Sequence, residues 1–130
     1  MKFIALDTNA YSVLQKGNAI IAEIIGTATD IGLPITVLGE IYYGVFDGNK
    51  TAENNKTLQK FLNVDRVNVL QSNETTAEII GEIATELKIL GKPMQQNDIW
   101  IAALCKQHGY AIVSNDQAFK NVVGLTLIDF

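Results

Sequence analysis

Two short apolar runs, each followed at once by polar residues that include an acid, constrain the fold of this chain most strongly. Phe3-Ile4-Ala5-Leu6 ends at Asp7, and Ala111-Ile112-Val113 is followed by Ser114-Asn115-Asp116. An uninterrupted apolar run of this length is typical of a strand buried on both faces of a parallel sheet. The long segment between the two runs has room for the crossover helices that parallel strands require. The pattern therefore predicts an α/β fold.

The rest of the chain reads as alternating strands and helices. Apolar residues at helical spacing, followed by Gly91 and Pro93, predict a helix over residues 74–90. A second helix is predicted over 98–108, with Asn97 as its N-cap and Gly109 as its C-cap. Weaker patterns predict strands at 34–37, 66–70 and 125–128 and helices at 8–15, 19–28, 38–46 and 51–62. Together these elements predict a central parallel sheet of about five strands covered by helices.

Composition narrows the class of protein. With 130 residues, 48% apolar and 18% charged, we expect residues 1–130 to form one domain with its own core. The formal net charge of −4 argues against a protein that coats nucleic acid by charge alone. Asp7 interrupts the apolar start too early for a signal peptide, and no apolar run reaches transmembrane length. We therefore expect a cytoplasmic protein without a membrane partner.

Four acids are predicted at the carboxyl edge of the sheet. Asp7 and Asp116 follow the two clearest strands, while Glu40 and Asp98 lie early in predicted helices. Parallel sheets bind ligands at this edge, so the four carboxylates are expected to converge there. Like charges held together are normally stabilised by a divalent cation with oxygen ligands, here Mg²⁺ or Mn²⁺. A purely structural interpretation exists for three of them: Asp7 as a helix cap, Asp98 as a partner of a helix dipole and Asp116 as a turn residue.

Taken together, four sequence blocks resemble the signatures of one family. They are Leu6-Asp7-Thr8-Asn9, Gly39-Glu40-Ile41-Tyr42-Tyr43-Gly44, Asn97-Asp98-Ile99-Trp100-Ile101-Ala102-Ala103 and Ser114-Asn115-Asp116-Gln117-Ala118-Phe119. In this order they resemble the motifs of PIN-domain ribonucleases, and among these the VapC toxins of type II toxin-antitoxin systems. The resemblance spans nearly the whole chain.

The resemblance implies a three-layer α/β/α PIN-like fold and a metal-dependent endoribonuclease. Its implied catalytic and metal-binding residues are Asp7, Glu40, Asp98 and Asp116 around Mg²⁺ or Mn²⁺. A metal-activated water would then hydrolyse an RNA phosphodiester. The implied supporting residues are Thr8, Asn9, Ser114 and Asn115, with Ser114 standing where the family more often has Thr.

Partners are also implied by the resemblance: an RNA substrate, a cognate antitoxin and a second copy in a homodimer. The apolar side chains of Tyr11, Val13, Leu14, Tyr42, Tyr43 and Phe46 either fill the core or form a groove for the antitoxin. The sequence does not identify the RNA that is cleaved, because cleavage specificity depends on loop shape and a few cationic side chains. Candidate cations are Lys16, Lys50, Lys92 and Lys120.

Three alternative functions are compatible with parts of the pattern. A receiver-like phosphoacceptor domain has a similar sheet, but it pairs two acids after its first strand, where this chain has Asp7-Thr8-Asn9. An RNA-processing enzyme of the same fold without a toxin role fits the same four acids. A catalytically silent binding module fits the fold, although all four acids are present.

Overall fold

Five parallel strands form the centre of the molecule. The computed structural model describes residues 2–130, and its strands are β1 (Phe3–Leu6), β2 (Asp30–Pro34), β3 (Val67–Leu70), β4 (Ala111–Val113) and β5 (Leu127–Ile128). Their order is β3-β2-β1-β4-β5, and every neighbouring pair is parallel. The predicted parallel sheet of five strands is confirmed.

Helices flank this sheet as the outer layers of a three-layer α/β/α arrangement. They are α1 (Thr8–Gln15), α2 (Ala19–Gly26), α3 (Ile35–Asp47), α4 (Thr51–Leu62), α5 (Glu74–Leu90) and α6 (Gln96–His108), followed by a short 3₁₀ helix (Gln117–Asn121). Within residues 2–130, none of these helices is long and apolar enough to cross a membrane.

Local sequence sets both ends of α5 and the carboxyl end of α6. α5 begins with a capping box, in which Asn73 Oδ1 accepts from Thr76 N while Thr76 Oγ1 accepts from Asn73 N. It ends at Gly91, and α6 ends at Gly109, with φ values of 67° and 79° that only glycine adopts at little cost.

The core lies on both faces of β1 and around α6. Ile4, Ala5 and Leu6 are almost fully buried, as expected for a strand covered on both faces. Residues 101–105 of α6 are also all buried, because this helix packs against α5, α3 and strands β2, β3 and β4. The middle of α6 is therefore buried on all sides. This packing holds the first turn of α6, which carries Asp98, near the edge of the sheet.

The predicted strand at 34–37 is wrong. The strand ends at Pro34, and Ile35, Thr36 and Val37 form the first turn of α3. The β-branched side chains of these three residues favour a strand by propensity. Gly32, by contrast, weakens the strand pattern of Asp30–Pro34, which is the segment that forms β2. Gly32 is required there, because a Cβ at this position would lie 2.9 Å from Leu70 Cδ1.

Smaller corrections concern element ends. α6 begins at Gln96 behind Gln95, so Asn97 lies inside the first turn and is not the N-cap. Strands β3 and β5 are shorter than predicted, and α2 ends two residues before the predicted end. Helices at 8–15, 51–62 and 74–90 have the predicted bounds.

Candidate active site

The strand order reverses at β1, which makes the gap between β1 and β4 the natural ligand site of this sheet. The chain runs from β1 outward to β2 and β3, then returns to place β4 on the other side of β1. Leu6 is paired with Val113, so the residues that follow these strands, Asp7 and Ser114, lie side by side. Open α/β sheets bind ligands at such a switch point, beyond the carboxyl ends of the strands.

Ser114 links two of the predicted acids. Its side chain is fully buried, and its Oγ donates to Asp7 Oδ2 while it accepts from Asp116 N at 3.0 Å. Asp7 Oδ1 accepts from Ala10 N at 2.7 Å, which caps α1. The structural interpretation of Asp7 as a helix cap is therefore confirmed, and these hydrogen bonds fix its carboxylate beside Ser114.

Asp116 lies at the exposed border of the site. Its Oδ1 accepts from Ala118 N at 2.9 Å and caps the 3₁₀ helix, as its structural interpretation as a turn residue anticipated. Nearby, Asn9 Nδ2 donates to Asn115 Oδ1 at 3.0 Å. This hydrogen bond joins the segments that follow β1 and β4, and the supporting role of the two residues stays a prediction.

Asp98 lies within electrostatic reach of the other three acids. It is half-buried in the first turn of α6, and burial raises its pKa first, followed by the charges of Asp116, Glu40 and Asp7. Burial likewise raises the pKa of Asp7, although its hydrogen bonds from Ser114 and Ala10 oppose the shift. Asp116, Glu40 and Asp7 therefore lie near enough to Asp98 for their negative charges to oppose its ionisation.

The donor set fits a hard divalent cation. Within residues 2–130, no three acidic, histidine or cysteine side chains are close enough to hold one metal ion by themselves. Mg²⁺ commonly takes only one or two carboxylates and keeps several waters, so a spaced set of carboxylates suits it. Thr8 adds a hydroxyl whose Oγ1 is buried and finds no hydrogen-bond partner in the described part of the chain. The assignment of individual metal ligands stays a prediction.

Five residues that sequence reasoning did not assign to the site line a cavity with Thr8 and Glu40. They are Thr36, Gly39, Tyr43, Asn97 and Trp100. Thr36 lies four residues before Glu40, which places both on one face of α3. This helical spacing was the available signal, and the wrong strand prediction at 34–37 concealed it.

Cys105 and His108, the chain's cysteine and histidine, do not form a nucleophile and base pair. Cys105 is fully buried, and burial together with the charge of Asp7 raises the pKa of its thiol. The ring of His108 is exposed in the last turn of α6, where its Nε2 lies 2.9 Å from the carbonyl oxygen of Gln71. A buried neutral thiol and a histidine bound to backbone do not form a nucleophile and base pair.

Of the six apolar residues predicted for core or groove, four lie in or against the core and two are exposed. Tyr11 is buried, and Val13, Leu14 and Tyr42 pack partly against the core. Tyr43 and Phe46 are 70% and 67% exposed. A second cavity, of about 440 Å³, lies among α1, α3 and α4 on the other side of Thr8 and Glu40, and Lys16 is the one candidate cation that lines it.

Known proteins share this chain's sequence pattern and fold. Ribonuclease VapC2 of Haemophilus influenzae is 29% identical over 123 residues, which is 92% of each chain. The structure of VapBC2 from Rickettsia felis, bound to a DNA fragment from its promoter, superposes with a TM-score of 0.85 at 26% identity over 98% of both chains. That of VapBC-1 from nontypeable Haemophilus influenzae gives 0.85 at 26% identity over 97% of this chain and 96% of the other. A family model described as PIN domain matches residues 4–125, so the chain belongs to the PIN domain family.

Proposed function

We propose that this protein is a Mg²⁺- or Mn²⁺-dependent endoribonuclease and the toxin of a toxin-antitoxin pair. The observation that carries the proposal is the position of Asp98 in the first turn of α6, where burial raises its pKa and the charges of Asp116, Glu40 and Asp7 raise it further. Relatives that span nearly the whole chain are named ribonuclease VapC, which supports the reaction class. Membership of the PIN domain family leaves the receiver-like alternative without support.

In this proposal Asp7, Asp98 and Ser114 have separate roles. A bound Mg²⁺ or Mn²⁺ supplies positive charge for the phosphodiester oxygens and lowers the pKa of a water. Asp7 is held in one orientation by Ser114 Oγ and Ala10 N, which leaves its remaining lone pairs for a cation. Asp98 gains most from a cation, because its ionised form is opposed by burial and by three negative charges.

Cleavage of single-stranded RNA by the purified chain should require a divalent metal. We expect cleavage with Mg²⁺ or Mn²⁺, loss of cleavage in EDTA, and recovery when metal is added in excess. The physical reason is that four carboxylates cannot approach a phosphodiester without a cation to offset their charge. Gel analysis of an end-labelled RNA measures this directly. Cleavage that continues undiminished in EDTA would defeat the proposal.

We further propose an antitoxin as partner, because the solved structures similar to this chain are described as VapBC assemblies. Two exposed aromatic rings on α3, Tyr43 and Phe46, together with the cavity among α1, α3 and α4, offer it apolar surface. Homodimer formation stays a prediction, and light scattering tests it by measuring the molar mass in solution.

The toxin role predicts growth arrest when the chain is expressed without a partner. Asp98→Asn, expressed to the same soluble level, should relieve the arrest because it lacks one of the four site carboxylates. Colony counts after induction compare the two chains. A wild-type chain that cleaves RNA in vitro yet leaves growth unchanged would point to the RNA-processing enzyme instead.

A further inference from the structure

A cavity that Thr8 and Glu40 share with the proposed metal site is otherwise lined by residues that this site does not use. Its volume is about 620 Å³, and it lies where α1, α3 and α6 meet. This volume falls within the usual range for small-molecule sites. Its lining includes Thr8, Thr36, Glu40, Tyr43, Asn97 and Trp100.

Two of the residues that line this cavity carry a buried hydroxyl group without a hydrogen-bond partner in the part of the chain that the structure describes. Three buried side-chain polar atoms have no hydrogen-bond partner among residues 2–130, and two of them, Thr8 Oγ1 and Thr36 Oγ1, belong to residues that line the cavity. An unpaired buried hydroxyl is unfavourable, and hydrogen bonds to a ligand would remove that penalty. Rotation of either side chain toward the cavity would give a ligand with hydrogen-bonding atoms a partner for its hydroxyl.

Two aromatic rings from different helices complete the lining. Tyr43 on α3 is 70% exposed, and Trp100 on α6 is 36% exposed. Large apolar side chains left open to solvent beside a polar cavity suit a flat, partly apolar ligand. Nucleobases stack on such rings irrespective of their identity, and single-stranded RNA presents unstacked bases.

Charge decides which part of a nucleotide fits. Glu40 is the charged side chain in this lining, and no Lys or Arg accompanies it there. A phosphate would be repelled by Glu40, whereas a base and a ribose are neutral and bear donors for its carboxylate. The cavity thus suits the base and ribose of a nucleotide, with the phosphate directed to the neighbouring acids and their cation.

We propose that this cavity binds the base and ribose of one nucleotide of single-stranded RNA, adjacent to the phosphodiester that is cleaved. The base stacks on Trp100 and Tyr43, and the hydroxyl of Thr36 hydrogen-bonds the nucleotide. This inference rests on the proposed ribonuclease function and assigns it a substrate-binding subsite.

Trp100 is the one tryptophan of the chain, so its fluorescence reports on the cavity directly. The probes are the hexaribonucleotides A6, C6 and U6, end-labelled for anisotropy and added with Mg²⁺ to the Asp98→Asn chain to prevent cleavage. We expect saturable quenching of Trp100 at the concentrations where anisotropy shows binding. Binding without quenching would overturn the subsite alone. Absence of binding, together with absence of cleavage by the wild-type chain, would overturn the ribonuclease proposal as well.

Kinetics of the active chain test the same subsite. Trp100→Leu should raise KM for RNA about tenfold and change kcat little, because stacking is lost while the acids are untouched. Phe3→Leu is the matched control, since Phe3 is 37% exposed and lies at the opposite, amino end of β1. An unchanged KM in Trp100→Leu, with conversion of a dimer to a monomer in light scattering, would assign the cavity to contact with a second copy and overturn the proposal.

Thr36→Val separates binding from folding. The substitution keeps the shape of the side chain and removes a buried hydroxyl that has no partner among residues 2–130. We expect an equal or higher melting temperature together with a higher KM. A lower melting temperature with unchanged KM would show that the hydroxyl serves the fold and would contradict the subsite.

Discussion

Replacing Asp98 by Asn is expected to lower RNA cleavage by about 100-fold or more and, in EDTA, to raise the melting temperature. The activity falls because one of four carboxylates that serve a cation is lost. The stability rises because burial and the charges of Asp116, Glu40 and Asp7 all oppose ionisation of Asp98 in the folded protein. Loss of a favourable helix-dipole contact, about 0.3 to 1 kcal/mol, limits the gain. Thermal unfolding and RNA cleavage measure the two effects on the same preparation.

The pH dependence of this gain identifies its cause. The pKa of Asp98 is raised in the folded state, so its destabilising effect develops as pH rises above the ordinary value of 3.8 and is complete above the raised pKa. The advantage of Asp98→Asn should therefore be present at pH 7 and disappear toward pH 4. Asp47→Asn and Glu78→Gln, at exposed acids, should change neither activity nor stability appreciably. A lower melting temperature for Asp98→Asn at pH 7 in EDTA would show that the acids do not repel one another.

Asp7→Asn is a less informative variant for stability. Asp7 accepts from both Ser114 Oγ and Ala10 N. An asparagine can accept only one of these with its single oxygen, so the hydroxyl of Ser114 would face an amide donor. The relief of repulsion and the lost hydrogen bond then act in opposite directions.

Ser114→Ala is expected to destabilise the protein by about 1 to 3 kcal/mol and to reduce RNA cleavage about 10- to 100-fold. The substitution removes the donor to Asp7 Oδ2 and the acceptor of Asp116 N in a fully buried position. Asp7 is then free to change orientation, and the start of the segment that carries Asp116 loses its anchor. Denaturant unfolding gives the free energy, and cleavage rates give the activity.

Ser72→Ala is the matched control, because Ser72 is an exposed serine after β3. It should leave stability and activity within experimental scatter of the wild type. If Ser114→Ala behaves like Ser72→Ala, the hydrogen bonds between β1 and β4 do not organise the site.

The fold was predictable where the residues of a strand or helix carry its pattern without reference to distant parts of the chain. β1 and β4 are continuous apolar runs, and α5 carries both a periodic apolar face and a glycine end, so their positions follow from nearby residues. β2 was not predictable in this way, because Gly32 is selected by side chains from β3 and from Tyr110, which are distant in sequence. Residues 101–105 of α6 are all buried, so the apolar periodicity of this segment says little about its packing.

The candidate site likewise has parts that local sequence predicts and parts that depend on distant residues. Asp7 and Asp116 could be placed from the strand ends that precede them. The hydrogen bonds that Ser114 makes, and the pairing of Asn9 with Asn115, depend on the register of Leu6 with Val113 across more than a hundred residues. No local pattern encodes that register. The cavity around Thr36 and Trp100 likewise exists only because α1, α3 and α6 meet.

Anomalous diffraction from crystals soaked in Mn²⁺ at neutral pH tests most directly whether the four acids hold a divalent cation. We expect a peak at the switch point between β1 and β4, with at least one carboxylate oxygen of Asp7 or Asp98 about 2.1 Å from the metal. The same soak of Asp98→Asn crystals should weaken or abolish the peak. A wild-type crystal with Mn²⁺ on exposed acids such as Glu78 and none at the switch point would contradict the proposed metal site and the reaction assigned to it.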